Sequence, residues 1–414
     1  MKKQLLCTSA IALSVAAAPV MAQDWTVNVG GYYDTHVGVT QNSGTAFDAG
    51  NLFDTTGPTP GDFDGMEIVT DAEVFIQPSV TLDNGMTFGA TIQYETADGS
   101  DMDEVYVTVS SDTFGTLDIG SENSAGYKMM WSAGTPSVGG VPINSGSMSG
   151  FVPYATSSSS SSSTSVAIAM TFVGAGQSQA TEVFGNSDIQ RISYYTPDFN
   201  GFKFGLSYAP DANGSDGVSA IGNRSATGVA LTDIWDIGMS YNQSFGTADI
   251  ALAARWGTGN TNVGQAVFAP GSNLGILGIV PVSDPDTWGV AGTVTFGAFA
   301  FGGHYAENDN GLTAGVGDQE GWGLGGSYDM AGPWSFGIEY FHGEASHGTG
   351  ADKDEYDALK FAANMNLAAG VNFGVSVINT QVDAADAALG GALGGATGTD
   401  LDAWTLATTL NLSF

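Results

Sequence analysis

The chain has 414 residues, with 43 acidic against 9 basic side chains, a formal net charge of −34, and a single cysteine. An acid excess of this size excludes nucleic acid as a partner, because binding a phosphate backbone needs clustered cations. Apolar residues make up 43% of the chain and glycine takes 60 positions, yet past the N-terminus no segment offers the ~20 uninterrupted apolar residues of a membrane-spanning helix.

At the N-terminus, Met1-Lys2-Lys3, the apolar run from Leu5 to Ala18 and the small-residue site Val20-Met21-Ala22 predict a secretory signal peptide over 1–22. The mature chain would then start at Gln23. Cys7 lies inside that signal, and its neighbours Leu5-Leu6 make no lipoprotein cleavage site. No disulfide or thiolate metal ligand is expected downstream.

From Trp25 to Phe414 the chain repeats amphipathic segments joined by connections that are short, then long, then short again. Sixteen strands are predicted, near 24–38, 66–82, 86–96, 101–110, 116–121, 188–196, 202–209, 233–243, 247–256, 286–296, 299–307, 321–329, 334–344, 354–366, 371–382 and 401–414. The shortness of 116–121 leaves fourteen and eighteen as neighbouring counts. The period is two: Phe88, Ala90, Ile92 and Tyr94 share one face against Thr87, Thr91, Gln93 and Glu95, and Trp404, Leu406, Leu410, Leu412 and Phe414 share another. Asp83-Asn84-Gly85, Pro197-Asp198-Phe199-Asn200-Gly201, Phe245-Gly246, Gly297-Ala298, Ala331-Gly332-Pro333 and Ala368-Ala369-Gly370 are compact turns. The connections 39–65, 210–232, 257–285 and 383–400 are far longer. This pattern predicts an all-β fold, a transmembrane antiparallel up-and-down β-barrel spanning 23–414, with its long loops outside if both chain ends are periplasmic. A secreted β-sandwich or β-solenoid shares the alternation but not the aromatic residues at strand ends on the predicted lipid side.

One connection differs from the rest. It runs over 122–187, opens with Glu122-Asn123-Ser124-Ala125-Gly126-Tyr127-Lys128-Met129-Met130-Trp131 and contains a serine run from Ser157 to Ser163. In a sixteen-stranded barrel a connection this long can fold inward and narrow the channel. Tyr127 to Trp131 are expected to pack inside the barrel, since exposed aromatics and methionines are costly; the serine run alone reads better as an external loop.

Strand parity then assigns charges to the lumen. Glu67, Asp71, Glu73, Glu95, Glu104 and Asp118 point inward from the second to fifth strands, and Glu122 and Lys128 open the long connection. Arg191, Lys203, Arg255 and Lys360 point inward from later strands. Opposite signs on different wall sectors would set up a transverse field that sorts solutes by charge, and the acid excess predicts a cation-preferring pore. The alternative for each charge is simple solvation in a wide channel.

Acidic clusters in the long connections, Asp62, Asp64, Glu67 and Asp71, or Asp352, Asp354, Glu355 and Asp357, read chiefly as a solvated, halotolerant surface. They also offer hard oxygen ligands for calcium, although none matches an EF-hand. An enzyme is not expected: the histidines are His36, His304, His342 and His347, and no Gly-x-Ser-x-Gly elbow occurs. Gly321-x-Gly323-x-x-Gly326 matches a dinucleotide fingerprint formally, but it lies in an alternating strand with no helix after it and reads as close-packed barrel glycine.

Phe114-Gly115-Thr116-Leu117-Asp118-Ile119-Gly120 leading into Glu122-Asn123-Ser124-Ala125, the stretch Arg191-Ile192-Ser193-Tyr194-Tyr195-Thr196-Pro197-Asp198-Phe199-Asn200-Gly201-Phe202, and the terminal Asn411-Leu412-Ser413-Phe414 resemble the trimeric general porins of alphaproteobacterial outer membranes. The resemblance covers essentially the whole mature chain. It implies a homotrimer in the Gram-negative outer membrane, among lipid and lipopolysaccharide, with 122–187 as the constriction loop and Phe414 as the signal read by the barrel-assembly machinery. Some members bind calcium; no cofactor is required. The chain departs from the family in having only Glu122 and Glu182 as acids in 122–187, which leaves selectivity to the barrel wall. The expected function is passive diffusion of ions and small hydrophilic solutes. A non-conducting adhesin or structural barrel, binding through its acidic loops, is the rival.

Overall fold

A computed structural model describes residues 24–45, 65–97, 102–130, 134–152, 186–212, 231–261, 283–309, 311, 318–346, 353–384 and 399–414. The predicted signal peptide, the serine run, Trp131 and Glu182 lie outside these residues. Sixteen antiparallel strands form one closed barrel in which each pairs with its sequence neighbours and the last pairs with the first. They are β1 (Thr26–Thr45), β2 (Gly65–Thr81), β3 (Thr87–Glu95), β4 (Met102–Ser111), β5 (Gly115–Glu122), β6 (Ile189–Tyr195), β7 (Phe202–Asp211), β8 (Leu231–Phe245), β9 (Ala248–Thr261), β10 (Asp286–Phe296), β11 (Phe299–Asp309), β12 (Gln319–Asp329), β13 (Trp334–Ser346), β14 (Lys353–Ala368), β15 (Val371–Ala384) and β16 (Thr399–Ser413). A short helix α1 (Ala125–Met130) and a 3-10 turn over Gly146–Gly150 lie between β5 and β6.

The barrel closes along a ladder from Tyr32↔Ser413 to Thr45↔Asp400. Phe414 completes it: its N–H donates to the Gly31 carbonyl at 3.1 Å, and Gly31 N–H returns a bond to the Phe414 carbonyl at 3.0 Å. Closure removes every free strand edge, which a lipid environment demands because no water is there to satisfy an open backbone.

The strands keep to the predicted bounds at the short turns and overrun them at the long connections. β1 reaches Thr45 rather than 38, and β9 reaches Thr261 rather than 256. Beyond Thr40, the polar run Gln41 to Thr45 of β1 continues the pairing with β16. Both faces there are hydrophilic, so apolar alternation carries no trace of it. The short turns use the left-handed backbone that their glycines allow, as at Gly85 (φ 81°) and Gly370 (φ 71°).

The outer face carries the apolar residues. Val37, Ile68, Val107, Ile119, Ile192, Leu206, Ile237, Val290, Leu324, Ile338, Phe361 and Leu406 are exposed there. Two aromatic belts bound this band. Toward the short turns lie Phe202 on Tyr241 (ring centroids 4.4 Å apart) and Phe299 on Tyr328 (4.8 Å). Toward the long connections lie Tyr208 on Trp235 (4.6 Å), Trp288 on Tyr305 (5.3 Å) and Trp322 on Tyr340 (5.2 Å). The eight residue-to-residue steps from Trp288 to Phe296 span about 27 Å of strand; a strand tilt of about 40° leaves a band about 20 Å high, the scale of an outer-membrane barrel's apolar belt. An exposed apolar belt of this kind suits a lipid-facing surface rather than a water-facing one.

Candidate functional site

The lumen is the candidate site. β5 is short, so Glu122 ends it well inside the barrel and the chain turns inward. Ser124 Oγ accepts the Tyr127 N–H (3.2 Å) at the start of α1, whose Met129 and Met130 are buried. The helix packs against β7, β8, β9 and β10. From Gly134 the chain follows the inner wall. Gly134 N–H donates to Thr293 Oγ1 of β10 (3.1 Å), and Thr135 Oγ1 meets His304 Nδ1 of β11 (3.0 Å). Ser137 donates to Glu339 of β13 (3.1 Å), and the Ile143 carbonyl accepts from Tyr356 of β14 (2.5 Å). Val141, Ile143, Met148, Phe151 and Val152 then form one apolar cluster with Phe341, Ile378, Val382, Leu401 and Ala407. Each fully buried side chain of this size stabilises the packing by about 1.5–3 kcal/mol.

Glycine makes the close approach possible. A Cβ at Gly238 would lie 2.9 Å from Met129 Cβ, at Gly325 2.4 Å from Thr135 Cγ2, at Gly337 2.7 Å from Val138 Cβ, and at Gly38 2.6 Å from the Phe151 ring. Gly323, part of the formal dinucleotide match, would meet His304 at 2.5 Å. The inward segment therefore runs along a track of glycines on the wall, from β8 round to β1.

Strand register places Glu67, Asp71, Glu73, Glu95 and Asp118 on the lumen side, and Glu104 joins them through its bonds from Asn123; Glu355 and Asp357 of the β14 cluster instead lie on the opposite face from Tyr356 and Lys360, Asp357 accepting from Tyr340. Glu67 stands opposite Gly38, Asp71 opposite Asp34, and Glu73 between Tyr32 and Glu95. Asp118 stands opposite Thr108, whose hydroxyl it accepts at 2.6 Å. Glu67 is exposed, while Asp71, Glu73 and Glu95 are half-buried and still reach water. Asp34 and Asp103, not singled out from sequence, join them. Asp34 follows from the parity of β1; Asp103 is hidden by the irregularity in the β3–β4 register between Ile92 and Tyr94. The Gln93 amide, turned with its nitrogen toward the carboxylates, donates to Glu104 (2.9 Å) and Glu73 (3.2 Å). The β1–β4 sector of the wall is thus an acidic face.

The basic residues require a correction. Arg191, Arg255 and Lys360 do point inward, but they are 3%, 4% and 1% exposed and form no solvated positive sector. Arg255 meets Asp236 at 2.5 Å, Lys360 meets Glu339 at 2.7 Å, and Arg191 donates to the Asn186 carbonyl. Lys128 of α1 meets Glu122 at 2.6 Å and Glu104 at 3.9 Å, with its ammonium 4.3 Å from the Tyr106 ring centre. Burial opposes the charge of Lys128, but Glu122 and Glu104 outweigh it and hold its pKa above the ordinary lysine value. Lys203 alone among the basic wall residues singled out is exposed, beside the short turn that starts β7. A transverse field built from opposed solvated charges is therefore not what this wall presents.

Among the described residues no group of three or more His, Cys, Asp or Glu side chains is arranged to hold a metal ion. Asp62, Asp64 and Asp352 lie outside them. At the long-connection end of β11–β14, a cavity of about 190 Å³ is lined by acids including Glu307, Glu320 and Glu344, with Lys353 bonded to Glu320 (3.0 Å) and to Glu344.

The family described as Gram-negative porin matches residues 8–385. The chain belongs to the Gram-negative porin family. Solved structures share the fold at low identity. The anion-selective porin from Comamonas acidovorans is 16% identical, with 94% of this chain and 100% of that one covered and a TM-score of 0.58. Salmonella typhi OmpF, in complex with daunomycin, is 14% identical over 95% and 98% of the two chains (TM-score 0.55). The trimer form of Vibrio cholerae OmpT is 12% identical over 95% and 100% (TM-score 0.54). No curated protein matches the chain in sequence. This porin is accordingly an outer-membrane protein forming a diffusion channel.

Proposed function

We propose that this porin is a general diffusion channel that prefers cations, with 122–187 as its constriction loop and the acidic β1–β4 wall as its selectivity surface. The observation that carries the reading is an asymmetry. Asp34, Asp71, Glu73 and Glu95 retain water contact, whereas Arg255 and Lys360 are buried and neutralised by carboxylates. A wet pore lined by charge of one sign concentrates counter-ions and repels co-ions. No cofactor enters the mechanism: solutes and ions move down their gradients through water.

The working unit in this reading is a homotrimer of the alphaproteobacterial type, embedded in lipid and lipopolysaccharide. Its N-terminal 1–22 is removed on export, and Phe414 serves as the signal to the assembly machinery. The trimer form of OmpT and the shared fold support that assembly. Single-channel recording of the purified protein in a planar bilayer tests the proposal. Steps in threes with a cation-selective reversal potential are expected under a salt gradient. Anion selectivity would overturn the role of the acidic wall, and a folded barrel without conductance would favour the adhesin.

A further inference from the structure

We propose that Lys360 acts as a clamp that fixes the bore of the pore, together with Glu339, Ser137 and Tyr356, and contributes no charge to ion selection. The inference rests on the channel reading above. A lysine ammonium has three donors, and here each has a partner on the wall or the inward segment. Lys360 Nζ lies 2.7 Å from Glu339 Oε2, 2.9 Å from Ser137 Oγ and 3.4 Å from the Val141 carbonyl. Ser137 in turn donates to Glu339 at 3.1 Å. The ion pair is internally neutral and its members are 1% and 5% exposed, so little of its field reaches a permeating ion.

The clamp sits where the segment needs it. Glu339 and Lys360 are direct cross-strand partners on β13 and β14. They grip residues 137 and 141, and between these Gly139 and Gly140 press against Asn364 and Ser376. Four residues along β14, on the same face, Tyr356 is fully buried and donates to the Ile143 carbonyl. Ser137, Val141 and Ile143 are thereby tied to two adjacent strands where the segment enters its apolar cluster. Breaking these ties frees the segment from the wall while leaving the acids of β1–β4 untouched.

The test uses full-length trimers in planar bilayers and two variants that conserve net charge. K360M/E339Q replaces the ion pair by neutral side chains, and S137A/Y356F removes two hydroxyls without altering any charge. A clamp predicts that both lose the single quiet conductance level of the native pore, with a changed unitary conductance and greater open-channel noise, while the reversal potential stays at its native value. Native conductance and noise in S137A/Y356F would overturn the clamp, as would a shifted reversal potential with native conductance in K360M/E339Q. Should K360M/E339Q fail to assemble, S137A/Y356F decides alone, because it leaves the ion pair in place. Absence of conductance from the native protein would instead overturn the channel reading itself.

Discussion

Replacing Glu73 by glutamine removes one carboxylate from the open acidic wall without changing the shape of the side chain. A monovalent ion passing at a distance of about 5 Å in water interacts with that charge by roughly 0.8 kcal/mol. With a Debye length near ~10 Å at 0.1 M salt the interaction falls to about 0.5 kcal/mol. The cation gains this and the anion loses it, so the permeability ratio should drop by a factor of about five for one neutralised acid. At 1 M salt, where screening acts within ~3 Å, the change should be less than about twofold. The assay is the reversal potential across a salt gradient for native and E73Q protein, at about pH 8 so that carboxylates are ionised. Adding D71N should lower the ratio further. A ratio unchanged at low salt, or a change equally large at high salt, would show that the selectivity surface lies elsewhere.

Other perturbations reach the remaining parts of the argument. D236N strands Arg255, buried 2.5 Å from its carboxylate, and should cost about 3–5 kcal/mol, read as a lowered thermal midpoint of the folded barrel on semi-native gels; an unchanged midpoint would mean that the pair is replaceable by water. G337L places side-chain atoms where a Cβ already meets Val138 at 2.7 Å, well inside the ~3.5–4.0 Å of carbon contacts. It should push the segment into the lumen and reduce unitary conductance, and native conductance would refute the glycine track. Deleting Phe414 removes two backbone bonds to Gly31 and the expected assembly signal, so the yield of trimer in the outer membrane should fall; a normal yield would remove Phe414 from that role.

The fold was legible because a membrane barrel writes itself in two symbols, apolar outward and polar inward, and the short turns punctuate it. Legibility failed where the chain rises out of lipid: Gln41 to Thr45 extend β1 with no apolar face to mark them. Parity also placed Arg255 and Lys360 on the lumen side, but side and exposure are different properties. Parity on β8 points to Asp236 as well, since Trp235 and Ile237 face outward. What no parity rule contains is that a segment far away in sequence, Ser124 to Val152, lies over these charges and takes them out of the water. The abundance of glycine was visible, its purpose was not. A glycine on a strand looks the same whether it relieves a twist or makes room for a loop.

The path of that segment divides the chain by property. In the proposed reading, the solvated acids that meet permeating ions, Asp34, Asp71, Glu73, Glu95 and Asp103, come from the first four strands. In the same reading, the width they are offered is set by Ser124 to Val152 and by the glycines and ion pairs that seat this segment, from β8 round to Gly38 of β1. Substitutions of those acids should retune which ions pass without altering how large a solute fits, and substitutions of the residues that seat the segment should do the reverse. A lineage adapting to a new salinity and one adapting to a new nutrient would thus leave their marks in different stretches of this sequence.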